Sequence, residues 1–141
     1  MIRNSRRAGD EAGFTLLELL VVIAILGLLI GLVAPAALRQ LGGARVSVAK
    51  QSIERIGSVL DMYKLDTGAY PTTEQGLRAL VERPTGATAW NGPYVKGAEP
   101  VDPWNHAYIY RNPSSRDGHD YDLCSGGASG SASSTDTICN P

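Results

Sequence analysis

A single carboxylate, Glu18, lies near the start of a long apolar run and is the first side chain that could do specific chemistry. No other charged residue occurs between Glu18 and Arg39. At about 1.5 Å per residue, a helix through this gap is about 30 Å long, enough to cross the hydrocarbon core of a bilayer. A carboxylate in lipid costs several kcal/mol unless it is paired. Glu18 is therefore predicted to bind a cationic partner, the alternative being that it only reaches the headgroups.

Histidines and aspartates in the C-terminal half form a second candidate group. His106 and His119 lack the paired spacing of a zinc site. Asp117, Asp120 and Asp122 lie beside His119, which could suggest a metal or acid–base site. In a glycine-punctuated turn such residues are more often solvated or cap the local backbone. Because no nucleotide or nucleophile motif occurs either, the sequence predicts a protein that is not an enzyme.

Composition limits the possible architectures and partners. The 141 residues suffice for one compact domain and one membrane segment. The formal net charge of -1 gives no electrostatic support for a nucleic-acid partner. Cys124 and Cys139 are the only cysteines, and an even pair in an exported region predicts one disulfide.

The polar leader, residues 1–13, contains Arg3, Arg6 and Arg7 and ends in Gly13 directly before the apolar run. A secretory signal peptide instead places its apolar region before the cleavage site. The arginines predict a cytoplasmic leader with the rest of the chain outside. Cutting at Gly13 would leave the apolar segment on the mature protein, whereas an uncleaved signal anchor is the simpler alternative.

A long helix is predicted to continue beyond the apolar segment. Pro35 removes a backbone donor there, which predicts a kink or a locally melted stretch, and Gly42-Gly43 adds a second weak point. Gly68 is predicted to end the helix near residue 67. Between these points, apolar residues recur at steps of three or four and predict a stripe that packs on a small domain: Val46, Ala49, Ile53, Ile56, Leu60 and Tyr63.

The remaining chain reads as short elements joined by turns. Thr72 and Gln75 have capping-box spacing, which predicts a short helix over 73–82. Pro84 is expected to end this helix. Its predicted inward-facing residues are Leu77, Leu80 and Val81. Trp90 and Trp104 lie in proline-rich loops and are interpreted as packing anchors rather than a sugar-binding pair. Residues 107–111 and 121–124 are aromatic and β-branched and predict a small antiparallel sheet.

The hexapeptide 13–18, Gly-Phe-Thr-Leu-Leu-Glu, resembles the cleavage and methylation motif of type IV pilins and type II secretion pseudopilins. The resemblance implies that prepilin peptidase cuts between Gly13 and Phe14 and methylates the new amino terminus of Phe14. Glu18 is then the fifth mature residue. Its expected partner is the α-amino group of Phe14 in a neighbouring subunit, which would set the axial register of a helical filament.

Four further motifs, in order along the chain, resemble the major pseudopilins of type II secretion systems. They are residues 70–77 (Tyr-Pro-Thr-Thr-Glu-Gln-Gly-Leu), 90–94 (Trp-Asn-Gly-Pro-Tyr), 102–104 (Asp-Pro-Trp) and 121–123 (Tyr-Asp-Leu). The resemblance implies a periplasmic helical homopolymer, the pseudopilus, that is assembled by an ATPase and an inner-membrane platform and joined by minor pseudopilins. Such a filament is expected to push folded exoproteins through an outer-membrane secretin.

The C-terminus departs from this resemblance. Family members usually carry an aspartate-rich calcium loop after a Ser-x-Gly-x-Asp-Gly stretch, but residues 125–130 read Ser-Gly-Gly-Ala-Ser-Gly, with Ser129 at the expected aspartate. Only Asp136 remains near the end, whereas calcium prefers six to eight oxygens that include carboxylates. No metal or other cofactor is therefore expected. The hypothesis is that a Cys124–Cys139 disulfide replaces calcium as the device that holds this loop.

The sequence thus predicts an α+β fold, in which a long N-terminal α-helix packs on a small domain with a short antiparallel sheet. Residues 1–13 are the expected leader, 14–38 the transmembrane and assembly half of the helix, 39–67 its amphipathic half, and 68–141 the periplasmic region. The resemblance implies that the protein is a single-pass inner-membrane pseudopilin of type II secretion. Two alternatives remain: a type IV pilin for adhesion, motility or DNA uptake, and a signal-anchored periplasmic binding module.

Overall fold

One long helix and a three-stranded antiparallel sheet are the regular elements in the computed structural model, which describes residues 13–141. The predicted leader lies outside these residues except for Gly13. Helix α1 spans Leu16–Thr67, and two short 3-10 helices span Leu77–Leu80 and Gly127–Ser129. The sheet contains β1 (Ile109–Arg111), β2 (Asp122–Ser125) and β3 (Ile138–Cys139) in the order β1-β2-β3. The predicted α+β class is confirmed.

The first part of α1 belongs to a unit that ends at Gln40, whereas Leu41–Pro141 form a second unit. By length and composition α1 could cross a membrane: an 18-residue window has mean hydropathy 3.0 and none of it is buried. Of the two outcomes expected at Pro35, a kink or a locally melted stretch, the melted stretch is not found, because helical structure is continuous through Pro35 and Gly42-Gly43. Strong helix formers flank Pro35, namely alanines and Leu38, and they favour the helix on both sides. The kink itself stays a prediction.

The predicted apolar stripe forms the helix side of the core in the second unit. Ala49, Ile53, Ile56, Leu60 and Tyr63 are buried, and Val46 is half-buried. The helix ends at Thr67 as expected, where the Gly68 N–H donates to the Lys64 carbonyl (2.8 Å). The stripe packs against the residues that the rest of the unit contributes to the same cluster, chiefly Leu77, Leu80, Tyr108, Tyr110 and Leu123.

The segment 72–82 keeps its predicted cap but is not the predicted helix. Thr72 Oγ1 accepts from the Gln75 N–H (3.2 Å) and Gln75 Oε1 accepts from the Thr72 N–H (2.9 Å), as a capping box requires. A single turn follows, and then Gly76 adopts φ +56, in the left-handed region that a continuing helix cannot contain. Only Leu77–Leu80 is helical thereafter, and it is a 3-10 helix with Leu77 and Leu80 buried.

Two antiparallel strands lie where they were predicted, and a third was missed. Strand β1 pairs with β2 through Tyr110 opposite Leu123. Strand β3 pairs with β2 through Cys124 opposite Cys139; at two residues it is too short for a periodicity signal. In the loops, Trp90 packs against the core and donates its Nε1–H to the Ala79 carbonyl (2.8 Å). Trp104 is only half-buried and lines a surface groove of about 650 Å³.

Candidate functional site

Residues 13–15 form a short non-helical junction in front of α1. Thr15 Oγ1 accepts a hydrogen bond from the Glu18 N–H (3.2 Å), and the Thr15 carbonyl accepts the Leu19 N–H (3.2 Å), so Thr15 is the N-cap. The peptide bond between Gly13 and Phe14 lies ahead of this cap, and the Phe14 side chain is 78% exposed. The cap was missed although Thr15 and Glu18 have the Ser/Thr-x-x-Glu spacing that indicates one.

Glu18 is exposed in the first turn of α1, where a negative charge interacts favourably with the helix dipole. Within residues 13–141 it forms no ion pair. The apolar side chains around it are exposed as well: Leu16, Leu17, Leu19 and Leu20 keep between 52% and 79% of their surface accessible. This segment therefore presents a continuous apolar surface with one carboxylate on it.

At the other end of the chain, a disulfide joins Cys124 in β2 to Cys139 in β3. The two residues are direct cross-strand partners with Cα atoms 4.0 Å apart. The bond closes the serine- and glycine-rich segment into a loop across the sheet. It thereby fixes an edge strand that has only two residues in the ladder.

A C-terminal clamp, consisting of Arg116, Asp122 and Asn140, fastens the same edge. The Asp122 carboxylate accepts the Arg116 Nε–H (2.7 Å) and donors from Ser114 and Ser115 (2.6 to 2.8 Å). Arg116 also donates to the Asn140 carbonyl (2.9 Å) and to its side-chain oxygen. Burial alone would raise the pKa of Asp122, but the hydrogen bonds from Ser114, Ser115 and Arg116 outweigh it and hold that pKa well below its usual range.

The clamp also completes the backbone pairing of β2. The Leu123 N–H donates to Asn140 Oδ1 (2.9 Å) and the Leu123 carbonyl accepts the Asn140 N–H (2.9 Å). Asn140 Nδ2 donates to the Tyr121 carbonyl (3.2 Å). Asn140 is thus held from both sides, directly after Cys139.

A buried carboxylate, Asp102, organises the base of the loop. Its side chain is fully buried and accepts the Ser125 hydroxyl (2.6 Å) and the backbone N–H groups of Trp104 (3.0 Å) and His106 (2.8 Å). His106 Nδ1 lies 3.2 Å from the Gly127 carbonyl. No spacing rule indicates this hydrogen-bonding function for Asp102, because its partner Ser125 is distant along the chain.

The loop interior does not fit a calcium ion. Thr137 Oγ1 lies 3.1, 3.3 and 2.9 Å from the carbonyl oxygens of Ser131, Ala132 and Ser134, so a hydroxyl occupies the point where these carbonyls converge. Asp136, the one carboxylate of the loop, is exposed, whereas calcium needs six to eight oxygens with carboxylates among them. Within residues 13–141, no group of three or more His, Cys, Asp or Glu side chains is placed to hold a metal ion.

The histidine and aspartate group that the sequence raised is dispersed in the structure. His119 Nδ1 lies 3.1 Å from the Asp117 carbonyl, and Asp120 faces Lys64 at 3.7 Å. Asp122 turns inward to the clamp. His106 lies at the base of the loop, away from this turn. The structure thus pairs neither histidine with Asp117, Asp120 or Asp122 through their carboxylates, and His106 Nδ1 instead lies 4.0 Å from the Asp102 carboxylate.

Two family models match this chain, one at its N-terminal segment and one over most of the remaining residues. Residues 9–34 match the family model described as "Prokaryotic N-terminal methylation motif". Residues 36–140 match the model described as "Type II secretion system (T2SS), protein G". The chain is 45% identical over 130 residues to the type II secretion system core protein G of Pseudomonas aeruginosa, covering 90% of each chain. It is 41% identical over 139 residues to the Escherichia coli protein of the same name, covering 96% of this chain and 94% of the relative.

A solved structure is also similar to this chain. The crystal structure of the major pseudopilin from the type 2 secretion system of enterohaemorrhagic Escherichia coli matches with a TM-score of 0.64 and 36% identity. The match covers 73% of this chain and 91% of that one. With its capped apolar helix, the chain falls in the class of proteins that carry the prokaryotic N-terminal methylation motif. Within that class it belongs to the type II secretion system protein G family, which confirms the resemblance read from its motifs.

Proposed function

We propose that this protein is the repeating structural subunit of a type II secretion pseudopilus. The observation that carries the proposal is the match of residues 36–140 to protein G. The N-terminal methylation motif alone would not distinguish a pseudopilin from a type IV pilin. A filament of such subunits would drive folded exoproteins through an outer-membrane secretin. The role is structural, and the subunit would be a substrate of enzymes rather than an enzyme.

Processing by prepilin peptidase is proposed at the bond between Gly13 and Phe14, followed by methylation of the Phe14 amino group. Three observations support it: the match to the methylation motif, the non-helical backbone over 13–15 and the exposure of Phe14. A peptide bond in front of a helix cap is open to an extended binding mode without unwinding α1. Gly13→Ala is expected to leave the leader attached, and a mature-sized product from that variant would refute the assignment.

Assembly is proposed to use the apolar part of α1 and Glu18. In a bundle of such helices, the exposed leucines would pack on neighbouring subunits, and the carboxylate would need a cation to offset its cost in lipid. The α-amino group of Phe14 in the neighbouring subunit supplies that cation after cleavage. A bend at Pro35 would let adjacent helices adjust to one another.

The proposed topology follows from the same features. Residues 1–13 would be the cytoplasmic leader, 14–38 the membrane segment before assembly, 39–67 the amphipathic half of the helix, and 68–141 the periplasmic region. The proposed partners are further copies of this chain, minor pseudopilins, the inner-membrane platform and prepilin peptidase. No resident calcium is proposed, because the donor set of the C-terminal loop does not suit it.

The experiment that tests the function is deletion of the gene and complementation in the parent strain, with exoproteins measured in the periplasm and the medium. The deletion should trap exoproteins in the periplasm while surface pili and twitching motility persist, and the plasmid-borne gene should restore secretion. Loss of twitching or of DNA uptake with secretion intact would instead identify a type IV pilin.

A further inference from the structure

The disulfide joins two cysteines that differ in accessibility. Cys124 lies in β2, the central strand, and only 8% of its surface is exposed. Cys139 lies in the edge strand β3 and is half-buried. A thiolate must reach a sulfur of an incoming disulfide before it can react, so accessibility decides which cysteine reacts first. Cys139 is the more exposed member of the pair, and it alone of the two lines surface grooves of the described residues.

The C-terminal clamp holds Asn140, the residue directly after Cys139, through contacts that involve no sulfur atom. Asn140 makes two hydrogen bonds with Leu123, each 2.9 Å: its N–H donates to the Leu123 carbonyl, and its side-chain Oδ1 accepts the Leu123 N–H. Leu123 is the residue directly before Cys124. Arg116, oriented by the Asp122 carboxylate, holds Asn140 from the other side. These contacts can form while both cysteines are still thiols. They place the two thiols opposite each other at a high effective concentration, which favours an intramolecular reaction.

We propose that oxidation completes the subunit: an external protein disulfide reacts first with Cys139, and Cys124 then resolves the mixed disulfide. The Cys139 thiolate attacks one sulfur of the external disulfide, whose S–S bond breaks and whose other sulfur leaves as a thiolate. The Cys124 thiolate next attacks the Cys139 sulfur and displaces the external protein. Two thiols of this chain become one disulfide, and the external protein takes up the two electrons as a dithiol.

In this proposal the disulfide closes the loop, and no bound cation does so, because the donors around Thr137 do not form a cation site. Asn140 acts as a positioning residue for the second step. The identity of the oxidant as a protein disulfide rests on the proposed function, since that places residues 68–141 in an oxidising compartment outside the inner membrane.

The order of the two steps is tested with the full chain, reduced in detergent and mixed with oxidised glutathione. Cys124→Ser keeps the accessible thiol and Cys139→Ser keeps the covered one, and both variants lack the disulfide, so each controls for the other. Mass spectrometry of the glutathione adduct should show Cys124→Ser reacting at least about tenfold faster. Equal rates, or a faster Cys139→Ser, would overturn the proposed order.

The positioning role is tested by the lifetime of the mixed disulfide on Cys139 in chains that retain both cysteines. Asn140→Ala should prolong this lifetime about tenfold by lowering the effective concentration of the two thiols, whereas Asn91→Ala, an exposed loop asparagine, should leave it unchanged. An unchanged lifetime in Asn140→Ala would overturn the role of the clamp. Neither measurement needs a filament, so a failure here is distinguishable from a failure of the proposed function.

Discussion

Replacing Asp122 by asparagine removes one negative charge from the C-terminal clamp with little change in side-chain shape. The carboxylate accepts four hydrogen bonds of 2.6 to 2.8 Å, one of them from the Arg116 guanidinium. Its side chain is 10% exposed, whereas that of Arg116 is 34% exposed. Water can therefore partly replace the lost partner on the arginine and on the exposed Ser115, but less well on the half-buried Ser114.

The expected cost follows from these contacts. Breaking a buried ion pair by removing one charge costs about 3 to 5 kcal/mol, and the partial exposure of Arg116 favours the lower end. Asp122→Asn is thus expected to lower the free energy of unfolding by about 3 kcal/mol. Asp117→Asn removes the same charge from an exposed position nearby and should change it by less than about 0.5 kcal/mol.

The lowered pKa of Asp122 determines how the stability of the protein should change with pH. Asp122 has a folded-state pKa below its unfolded value near 4, so its contribution to stability is complete above about pH 4 and declines as the pH falls toward the folded pKa. The free energy of unfolding of the wild-type protein should therefore decrease as the pH is lowered below about 4. Asp122→Asn should lose less stability over the same interval, because it has already lost this group.

The measurement is urea unfolding of the full chain in detergent between pH 3 and pH 7, followed by near-ultraviolet circular dichroism. Stability comes from the midpoint and the slope of each transition. If Asp122→Asn unfolds at the wild-type urea concentration and with the same pH dependence, the clamp does not stabilise the C-terminal residues and the reasoning is wrong.

Further predictions concern the loop and the N-terminal helix. In the double variant Cys124→Val, Cys139→Val, the free energy of unfolding measured in urea should fall by about 3 kcal/mol, because the closed loop is about 15 residues long. Neither calcium nor a chelator should shift the unfolding midpoint of the wild type or of this variant. Gly127→Ala should lose at least about 1 kcal/mol in the same assay, because Gly127 has φ +63 and an added Cβ would lie 2.6 Å from a backbone oxygen; a wild-type midpoint would contradict this. Glu18→Ala should be cleaved yet fail to form filaments in electron micrographs, whereas Thr15→Ala, which removes only the cap, should still assemble. Filaments from Glu18→Ala would overturn the register argument.

Local patterns predicted those features that depend on residues near one another in sequence. The steps of three and four from Ala49 to Tyr63 predicted the buried face of α1, because helix periodicity places such residues together. The capping-box spacing of Thr72 and Gln75 likewise predicted their hydrogen bonds. It did not predict the length of the helix that follows, because Gly76 adopts a positive φ that the spacing does not reveal.

Features that depend on distant partners were not predictable in this way. Asp102 and Ser125 are neighbours only after the chain has folded, so no spacing rule indicates their hydrogen bond. Asn140 pairs with Leu123 in the absence of any apolar pattern around it. The third strand is defined by its pairing with β2 and by the disulfide rather than by its composition. The cap at Thr15, in contrast, had a signal in the sequence.

The most direct test of the central claim is the location of exoproteins in a strain that lacks this gene and carries it, or its Glu18→Ala variant, on a plasmid. Immunoblots of periplasm and medium should show exoproteins in the medium with the wild-type gene and trapped in the periplasm with the empty plasmid or the variant. Normal secretion in the empty-plasmid strain would contradict the assignment of this protein as the repeating subunit of a secretion pseudopilus.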